Sequence, residues 1–483
     1  MSAPDRDRST PSDRGLAAAG AYLPRYRLAT DETESAWGVA HARGIERKAV
    51  PAADEDALTM AAAASEAAIG RWDEEDDRVE LVAVATTTPP LAEELLAARL
   101  VRLLGLPDAA APSTHTGSTA AGAAGLCRAL DADGPALVVA ADCPEGDPAD
   151  ADHRLGAGAA AFVVTDDAAV PVRDRSWRAV DAPGVRYRER GERGVEGHGA
   201  TAYERAAVRE AVAGAVDGLD VDPAIAAGVA LHQPDGDLPY RLARGLPVAN
   251  DAVAAGTVAD RVGDAGAATV PLGLLAALDG ASDGDVTLAG FFGGGGGACA
   301  LAFEGGLDAG VDGDVAGGRD LTYAAYLRER GHVVDGDVAG GGAHVSLPTW
   351  RRTLDARHHL AGGRCPDCGA LAFPPEGACP SCHERVDFEA APLRPRGTVR
   401  AATSIAQGGA PPEFAELQAR DGTYDVAVVE LTDGEANVTV PAMVADAEPG
   451  AVGIGDEVRA VRRRIYEQEG VPRYGVKFTP VER

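Results

Sequence analysis

The chain has 483 residues, enough for two or three domains, and its 75 acidic against 45 basic residues give a formal net charge of −30 at pH 7. This excess of negative charge argues against a nucleic-acid partner, because phosphate binding depends on contacts from arginine and lysine. Only two of the basic residues are lysines, Lys48 and Lys477, and an acidic, lysine-poor surface is typical of halophilic proteins, in which salt screens the self-repulsion.

The first 14 residues, Met1–Arg14, are polar and lack apolar periodicity, which predicts a disordered segment. They also lack the apolar core of a secretory signal. No apolar run in the chain approaches the roughly 20 residues of a membrane span. We therefore expect a soluble, cytoplasmic protein that does not enter the membrane.

Residues 15–304 alternate short apolar runs with small-residue segments of helical period, which predicts a layered α/β fold. In residues 15–166 the predicted elements are a strand at Gly15–Pro24, helices at Asp54–Gly70, Leu91–Leu104 and Ser118–Leu130, and strands at Leu81–Ala85, Ala136–Ala141 and Ala159–Val164. In residues 167–304 they are helices at Tyr203–Val216, Leu238–Leu246 and Val270–Leu278, and strands at Ile225–Leu231 and Val286–Phe291. The recurring order predicts an internal pseudo-duplication of two α/β halves.

The remaining residues predict a linker, a metal-binding ribbon and a small β-domain. Residues 305–349 are a linker, rich in glycine and aspartate over Gly305–Gly318, with one short helix at Leu321–Arg330. Residues 350–390 contain a helix at Trp350–Leu360 and a cysteine cluster. Residues 391–483 carry alternating apolar and polar runs, which predict a small all-β barrel. These runs are Thr398–Ile405, Tyr424–Leu431, Asn437–Val444 and Glu457–Ile465.

Four of the seven cysteines form two CxxC pairs separated by ten residues. They are Cys365, Cys368, Cys379 and Cys382. This spacing is typical of a tetrahedral zinc site, and because cysteines fill all four positions we expect the zinc to be structural. Disulfides are unexpected in a chain without a secretory signal, and a redox CxxC would not need the second pair. The cysteines left for other thiol chemistry are Cys127, Cys143 and Cys299.

Further motifs run along the chain in a fixed order. They are Gly20–Arg27, Lys48–Asp56 with Thr59–Ala61, His232–Gly236, Pro271–Leu274 and Tyr323–Arg330 in the body, and Gly363–Gly369 with Phe373–Pro375 in the ribbon. The body resembles archaeal-type hydroxymethylglutaryl-CoA synthases of the thiolase superfamily. The C-terminal part resembles the DUF35 family, a zinc ribbon with an OB-fold that accompanies thiolase-type enzymes. The resemblance implies a pseudo-duplicated α/β/α/β/α thiolase-like body, then a zinc ribbon and a small OB-fold barrel.

The resemblance also implies candidate site residues. The family condenses acetyl and acetoacetyl thioesters with a cysteine nucleophile, a glutamate acid/base, and a histidine and an asparagine that bind the thioester oxygen. The histidine corresponds to His232, and a loop of backbone amides corresponds to Gly293–Gly297, whose first three glycines, Gly293, Gly294 and Gly295, are candidate substrate-binding residues. His232 has a second interpretation, a turn histidine held by Pro234.

Three family positions carry other residues in this chain. The cysteine position falls on His115, or on Thr114 in a second alignment, the glutamate position on Thr87, and the asparagine position on Asp264. A carboxylate at the last position would repel a developing oxyanion unless it were protonated. Cys127 lies about ten residues into the predicted helix, roughly 15 Å along its axis, too far to replace the nucleophile. We interpret Cys143 and Cys299 as small buried residues. Claisen condensation by the family mechanism is therefore not expected.

Two functional hypotheses follow for the body. In the first, a degenerate synthase binds acyl-CoA, forms a homodimer as thiolase-type folds do, and scaffolds a thiolase (acetyl-CoA acetyltransferase) subunit through its ribbon and barrel. In the second, the protein is an active CoA-thioester enzyme, either an acyltransferase or a lyase or hydrolase. His232 and Asp264 would then form a base and its orienting partner, with His115 as acid/base. His115 has a simpler interpretation as a capping residue at the helix start.

A third hypothesis is that the barrel binds an oligonucleotide. Arg459, Arg462, Arg463 and Arg464 lie near Tyr466 and could follow a phosphate backbone. The alternative, favoured by the acidic charge balance, is that these arginines belong to an edge strand.

Overall fold

The computed structural model describes residues 14–72, 78–199, 201–309, 317–333, 346–406, 418–420 and 422–481. The expectations for residues 1–13 and for half of the Gly305–Gly318 linker, residues 310–316, lie outside these ranges. The chain divides into two compact units. The first unit comprises Met1–Val50, Met60–Val101 and Leu106–Tyr323, and the second comprises Pro51–Thr59, Arg102–Gly105 and Ala324–Arg483.

The first unit is built on a large mixed sheet with a three-stranded sheet beside it. The strands are β1 Gly15–Tyr22, β2 Tyr26–Ala29, β3 Arg47–Val50, β4 Leu81–Ala85, β5 Ala111–His115, β6 Ala136–Asp142, β7 Gly158–Thr165, β8 Val170–Ala182, β9 Ala226–Leu231, β10 Val286–Gly293, β11 Gly295–Glu304 and β12 Arg319–Asp320. Nine of them form one sheet in the order β5-β4-β6-β7-β1-β8-β11-β10-β9, and the small sheet has the order β12-β2-β3. Strands β4, β6 and β10 are buried along their whole length, as apolar strands covered on both faces must be.

Helices pack on both faces of the large sheet. The helices of the first unit are α1 Thr30–Trp37, α2 Ala57–Ile69, α3 Leu96–Leu104, α4 Ala121–Leu130, α5 Thr201–Val216, α6 Leu238–Ala243, α7 Asn250–Ala255, α8 Ala259–Val262 and α9 Thr269–Asp279. Helix α10 Tyr323–Glu329 belongs, apart from Tyr323, to the second unit. Helix α9 is buried at nine of its eleven positions, which explains its continuous apolar sequence. Two separate apolar clusters lie on the sheet, one around Phe162 and Phe291 and one around Val212 and Phe292. The predicted layered α/β body is confirmed.

The second unit contains the ribbon and the barrel-like sheet. Its helices are α11 Leu347–Arg352 and α12 Leu354–His359, and its strands are β13 Ala361–Arg364, β14 Leu371–Ala372, β15 Glu389–Pro392, β16 Arg396–Ile405, β17 Tyr424–Thr432, β18 Asn437–Met443, β19 Glu457–Gln468 and β20 Val471–Pro480. The last five strands form an antiparallel sheet in the order β18-β17-β16-β19-β20. A bridge between Val444 and Phe478 brings its two edges together, so the sheet is nearly closed. The predicted small β-barrel is confirmed, and its OB topology stays a prediction.

Buried ion pairs hold an acidic turn inside the second unit. The Arg463 guanidinium, only 2% exposed, lies 3.2 Å from Glu55 and 2.8 Å from Asp446, and the Lys477 ammonium lies 2.7 Å from Asp54. Burial raises the pKa of Asp54, but the attraction of Lys477 and Arg463 outweighs it and the net pKa is lowered. Each buried charge therefore has an opposite charge in contact.

The same ion pairs bear on one arginine of the third hypothesis. Arg463 is committed to carboxylates and is not accessible to a phosphate. Strand β19 pairs with β16 only over Glu457–Arg459, and from Arg462 onward the described ladder joins it to β20 alone, so this part of the strand is an edge, as the alternative expected. The first unit has a comparable pair, since Lys48 Nζ lies 3.3 Å from Asp152 Oδ2 with both side chains buried.

No helix in the described part of the chain is long and apolar enough to cross a membrane.

We predict that Arg463→Ala destabilises the second unit by about 3–5 kcal/mol, because it leaves buried carboxylates without a counter-charge. Hydrogen–deuterium exchange measured across strands β16–β20 should show the loss of protection. The matched control is Arg459→Ala, at an exposed position of the same strand, which should change protection little. Equal effects of the two substitutions would mean that the buried pairs do not stabilise the unit.

Candidate functional site

A fully buried carboxylate lies at the carboxyl end of β6, beside the end of β4. Asp142 accepts hydrogen bonds from Thr86 Oγ1 at 3.1 Å, from Thr87 N at 3.0 Å and Thr87 Oγ1 at 2.7 Å, and from Thr88 Oγ1. It also accepts one from Ala267 N at 2.8 Å. This network fixes Thr87, the residue that the resemblance places at the family's glutamate position, against Asp142. Thr87 itself offers no group that could act as an acid or base near neutral pH.

A second buried carboxylate, Asp264, lies on the neighbouring turn. It accepts a hydrogen bond from Gly266 N at 2.9 Å and forms an ion pair with the Arg186 guanidinium. Gly266 has φ +55°, and a Cβ there would lie 2.2 Å from Asp142 Oδ2, so only glycine allows the turn to pass between the two carboxylates. Burial raises the pKa of Asp264, but the combined attraction of Arg186, His232 and Arg154 outweighs it, and the pKa is lowered overall. Asp264 is therefore an ionised, paired group and not a protonated acid.

His232 is buried at the end of β9 and packs against Phe292, with ring centroids 5.4 Å apart. Burial, reinforced by Arg186 and opposed by Asp264, lowers its pKa to about 4. The imidazole is therefore neutral at pH 7. Among the described contacts no hydrogen bond joins His232 to Asp264, so the structure does not form the expected base and orienting partner. The next residue, Gln233, holds the turn through hydrogen bonds to backbone atoms.

His115 lies apart from His232. It ends the edge strand β5, its Nε2 lies 3.0 Å from Ser113 Oγ, and a Cβ at Gly125 of α4 would lie 3.8 Å from its ring. Burial, and secondarily Arg128, lower its pKa. It does not cap α4, whose N-cap residue is Ala120. The structure therefore places His115 beneath α4 and does not bring it together with His232.

The three spare thiols occupy two environments. Cys127 and Cys299 are buried in the apolar core, where neither can reach a bound ligand. Cys143 is half-buried and follows Asp142, and its Sγ lies 3.7 Å from Thr88 Oγ1. The expectation of a buried residue is therefore wrong for Cys143, which is the one of the three that lies beside Thr87 and Thr88.

The glycine run forms the tight turn between β10 and β11. A Cβ at Gly293 would lie 2.5 Å from Ser118 Oγ, and one at Gly294 would lie 2.0 Å from the Arg186 carbonyl oxygen. Gly295 has φ +94° and is exposed. The first two glycines therefore permit close packing against the start of α4 and against the segment that carries Arg186.

A cavity of about 400 Å³ opens beside His232 and Arg186. We call it the basic cavity because five arginines and three carboxylates line it. They are Arg43, Arg154, Arg186, Arg205 and Arg241, and Asp150, Glu204 and Asp235. The wall, as far as the structure describes it, does not include Thr87, Asp142, Cys143 or His115. Arg186 thus contacts the cavity on one side and Asp264 on the other.

The four ribbon cysteines converge as the spacing predicted. Their sulfur atoms all lie within 4.8 Å of one another, with Cys365 Sγ 3.8 Å from Cys382 Sγ and Cys368 Sγ 3.6 Å from Cys379 Sγ. A tetrahedral site with Zn–S bonds of about 2.3 Å requires sulfur atoms about 3.8 Å apart. The four side chains therefore fit a Zn²⁺ ion that would cross-link the two turns of the ribbon and leave no coordination position open.

Sequence reasoning missed two residues that organise this region, Asp142 and Arg186. The sequence did contain a signal for Asp142, because this acid directly ends an apolar strand. Its strand β6 is parallel to its neighbour β4, so Asp142 lies beside Thr87, which follows β4. Arg186 had no such signal, since its partner Asp264 is 78 residues away in the chain. Its neighbour Arg188 donates to the Thr87 carbonyl oxygen, so one short segment contacts both family positions.

Comparison with known proteins separates the chain into the same two parts. A hydroxymethylglutaryl-CoA synthase from Methanopyrus kandleri is 31% identical over 310 residues, which cover 61% of this chain and 88% of that protein. A DUF35 domain-containing scaffold protein from Methanocaldococcus jannaschii is 38% identical over 136 residues, covering 28% of this chain and 89% of that protein. The family described as ChsH2, rubredoxin-like zinc ribbon domain, matches residues 352–389.

Solved structures with the same body fold include an HMG-CoA synthase complexed with CoA, with a TM-score of 0.60 and 16% identity over 69% of this chain and 95% of that one. Another is MvaS in complex with 3-hydroxy-3-methylglutaryl coenzyme A, with a TM-score of 0.58 and 19% identity over the same shares. At these identities the likeness shows the fold alone.

We predict that His232 titrates with a midpoint near its lowered pKa of about 4, and not near the ordinary 6.5, because burial disfavours the imidazolium. NMR of ring-labelled histidine, with His232→Gln to assign the resonance, measures the midpoint. A midpoint at the ordinary value would mean that the ring is solvated.

We predict that the purified chain contains one zinc ion and that Cys365→Ser loses it and loosens the ribbon, because three thiolates no longer close the tetrahedron. Elemental analysis by mass spectrometry measures the metal. Ser381→Ala, between the last two cysteines, should retain the zinc. Unchanged zinc in Cys365→Ser would rule out this site.

Proposed function

Because the chain belongs to the hydroxymethylglutaryl-CoA synthase family and carries a DUF35-type zinc ribbon and barrel, we propose that it binds acyl-CoA thioesters without condensing them. Its ribbon and barrel would then dock a thiolase (acetyl-CoA acetyltransferase) subunit. We also propose a homodimer, by analogy with thiolase-type folds. Within the body we assign one thiolase-like half to residues 15–166 and the other to residues 167–304.

The ion pair between Arg186 and Asp264 carries this proposal. In the family, an asparagine at this position donates a hydrogen bond to the thioester oxygen. Asp264 is an ionised carboxylate and offers no donor, and Arg186 is tied to it. An oxyanion that developed beside Asp264 would meet a negative charge in a buried site, where the repulsion is strongest.

The positions of nucleophile and base support the same conclusion. His115 is directed towards Ser113 and α4, and Thr87 is fixed by Asp142. His232 remains available beside the basic cavity, but with its pKa of about 4 it is a weak base at neutral pH. These observations support binding of a thioester more than its conversion.

The C-terminal part supports the scaffold role. The relative from Methanocaldococcus jannaschii is named a scaffold protein, and this chain carries the corresponding region fused to its own body. Fusion holds the two parts at a high effective concentration without any further contact. We propose that the barrel has an OB-fold, and that the surface carrying so many carboxylates is adapted to high salt.

We predict that the protein binds acetyl-CoA and acetoacetyl-CoA but neither releases free CoA nor gains the mass of an acetyl group, since no thiolate occupies the nucleophile position. Thiol release and intact-protein mass spectrometry, both in high-salt buffer, measure the two outcomes. Condensation at the rates usual for enzymes would overturn the proposal.

Cys143→Ala is the matched control, because Cys143 is the one spare thiol beside Thr87 and Asp142. If the wild type is acylated and Cys143→Ala is not, Cys143 is a nucleophile and the protein is a live acyltransferase. CoA release that persists in Cys143→Ala and disappears in His232→Ala would instead identify a hydrolase or lyase.

A further inference from the structure

We propose that the second unit binds a free aliphatic carboxylate of medium length in a cavity at the open side of its β-barrel, and that Arg357 binds the carboxylate group. This cavity shares no lining residue with the basic cavity beside His232. The inference does not depend on the proposed binding of acyl-CoA by the body.

The cavity lies where the barrel is not closed. Strands β18 and β20 are the two edges of the five-stranded sheet, and in the described part of the chain one bridge, between Val444 and Phe478, joins them. Just before this bridge, residues 440–443 of β18 and residues 475–476 of β20 line a cavity of about 270 Å³. Helix α12 and the ribbon residue Phe373 complete its wall. The cavity therefore lies where strand pairing would otherwise close the barrel.

The wall of this cavity is apolar apart from one charged group. Its lining includes the aliphatic side chains of Leu360, Met443 and Ile465. The polar side chains among the described lining residues are those of Thr353 and Arg357, and no carboxylate is among them, although the chain has 75 acidic residues. An apolar enclosure with a few convergent polar groups is the usual form of a small-molecule site.

The Arg357 guanidinium is held in position and has donors left over. Its Nε donates to Thr353 Oγ1 at 2.8 Å, and its Cζ lies 4.7 Å from the centroid of the Trp350 ring. Its two terminal nitrogens have neither a hydrogen-bond partner nor an acidic partner in the described part of the chain. A second guanidinium, that of Arg473, lies 5.6 Å from the same ring and likewise has no acidic partner among the described residues. Two positive charges on one indole, neither paired with a described acid, favour an anionic ligand.

A carboxylate on an aliphatic chain matches both parts of this site. Its two oxygens accept from the terminal nitrogens of a guanidinium, and its chain contacts the apolar wall. The volume sets the length of the chain. Because a cavity of about 150 Å³ holds benzene, a cavity of about 270 Å³ holds a molecule of about ten or eleven non-hydrogen atoms. Octanoate is of this size.

The test titrates the full-length protein, isotope-labelled at its methionine methyl groups, with octanoate and follows the methyl resonances by NMR. The chain has three methionines, of which Met443 lines the cavity and Met60 is buried in the first unit. Octanoate should shift the Met443 resonance, assigned with Met443→Leu, and leave that of Met60 in place.

Two further ligands separate the charge from the chain. Octanol has the same aliphatic chain without the carboxylate and should bind about tenfold more weakly than octanoate, because it loses the hydrogen bonds to a charged group. Butyrate keeps the carboxylate but has four fewer CH₂ groups to bury, and it should bind about 100-fold more weakly than octanoate.

Two substitutions test the same division in the protein. Arg357→Gln should lower the affinity for octanoate to that for octanol and leave the affinity for octanol unchanged. Ala442→Phe, which places a ring in the cavity, should abolish the binding of both ligands. Arg351→Gln, at an exposed position of α11, is the control and should bind both ligands as the wild type does.

Equal affinities of the wild type for octanoate and octanol would overturn the inference, as would octanoate binding that leaves the Met443 resonance unshifted. A shift of Met443 by octanoyl-CoA but not by octanoate would also overturn it, because the cavity would then take a thioester. The wild-type titrations decide the matter even if a variant does not fold. None of these outcomes changes the proposed binding of CoA thioesters by the body, which has its own measurement.

Discussion

A carboxylate removed from water must be compensated, and this requirement organises both units of the protein. Asp142 is compensated by hydroxyl and backbone donors, Asp264 by a guanidinium and a backbone amide, and Asp54 by an ammonium and a guanidinium. In each case at least one compensating group comes from a distant part of the sequence and joins two elements of one unit. The acids that would destabilise an apolar interior thus fix the positions of turns and strand ends.

The departures from the synthase pattern are coupled to one another. Asp264, which the resemblance places at the family's asparagine position, puts a negative charge in a buried turn, and Arg186 supplies the opposite charge. Arg188, two residues further on, reaches the carbonyl oxygen of Thr87, the residue that the resemblance places at the family's glutamate position. One short segment therefore contacts both residues that we propose have replaced a donor and an acid. The fold is kept because its core is built from apolar strands and helices that do not depend on these residues.

The sequence predicted the parts of the fold that local patterns determine. Strands β4 and β6 were placed to within one residue because they are apolar and buried on both faces, and the cysteine spacing located the ribbon. Strand β8 was missed because most of its thirteen residues are partly or fully exposed and many are charged, which hides the pattern. The buried ion pairs of Arg463 were missed for a different reason. Its partners include Asp54, more than 400 positions earlier in the chain, and no local pattern reports so distant a contact. The pairing of Arg186 with Asp264 escaped prediction in the same way.

The placement of the two lysines has a practical consequence. Lys48 and Lys477 are the only ε-amino groups in the chain, and each is 2% exposed and ion-paired. Reagents that modify amines, such as activated esters and aldehydes, therefore find no accessible side-chain target in the folded protein. Surface immobilisation, fluorescent labelling and chemical cross-linking must be directed at carboxylates instead. Reaction of either lysine would report that its unit has opened.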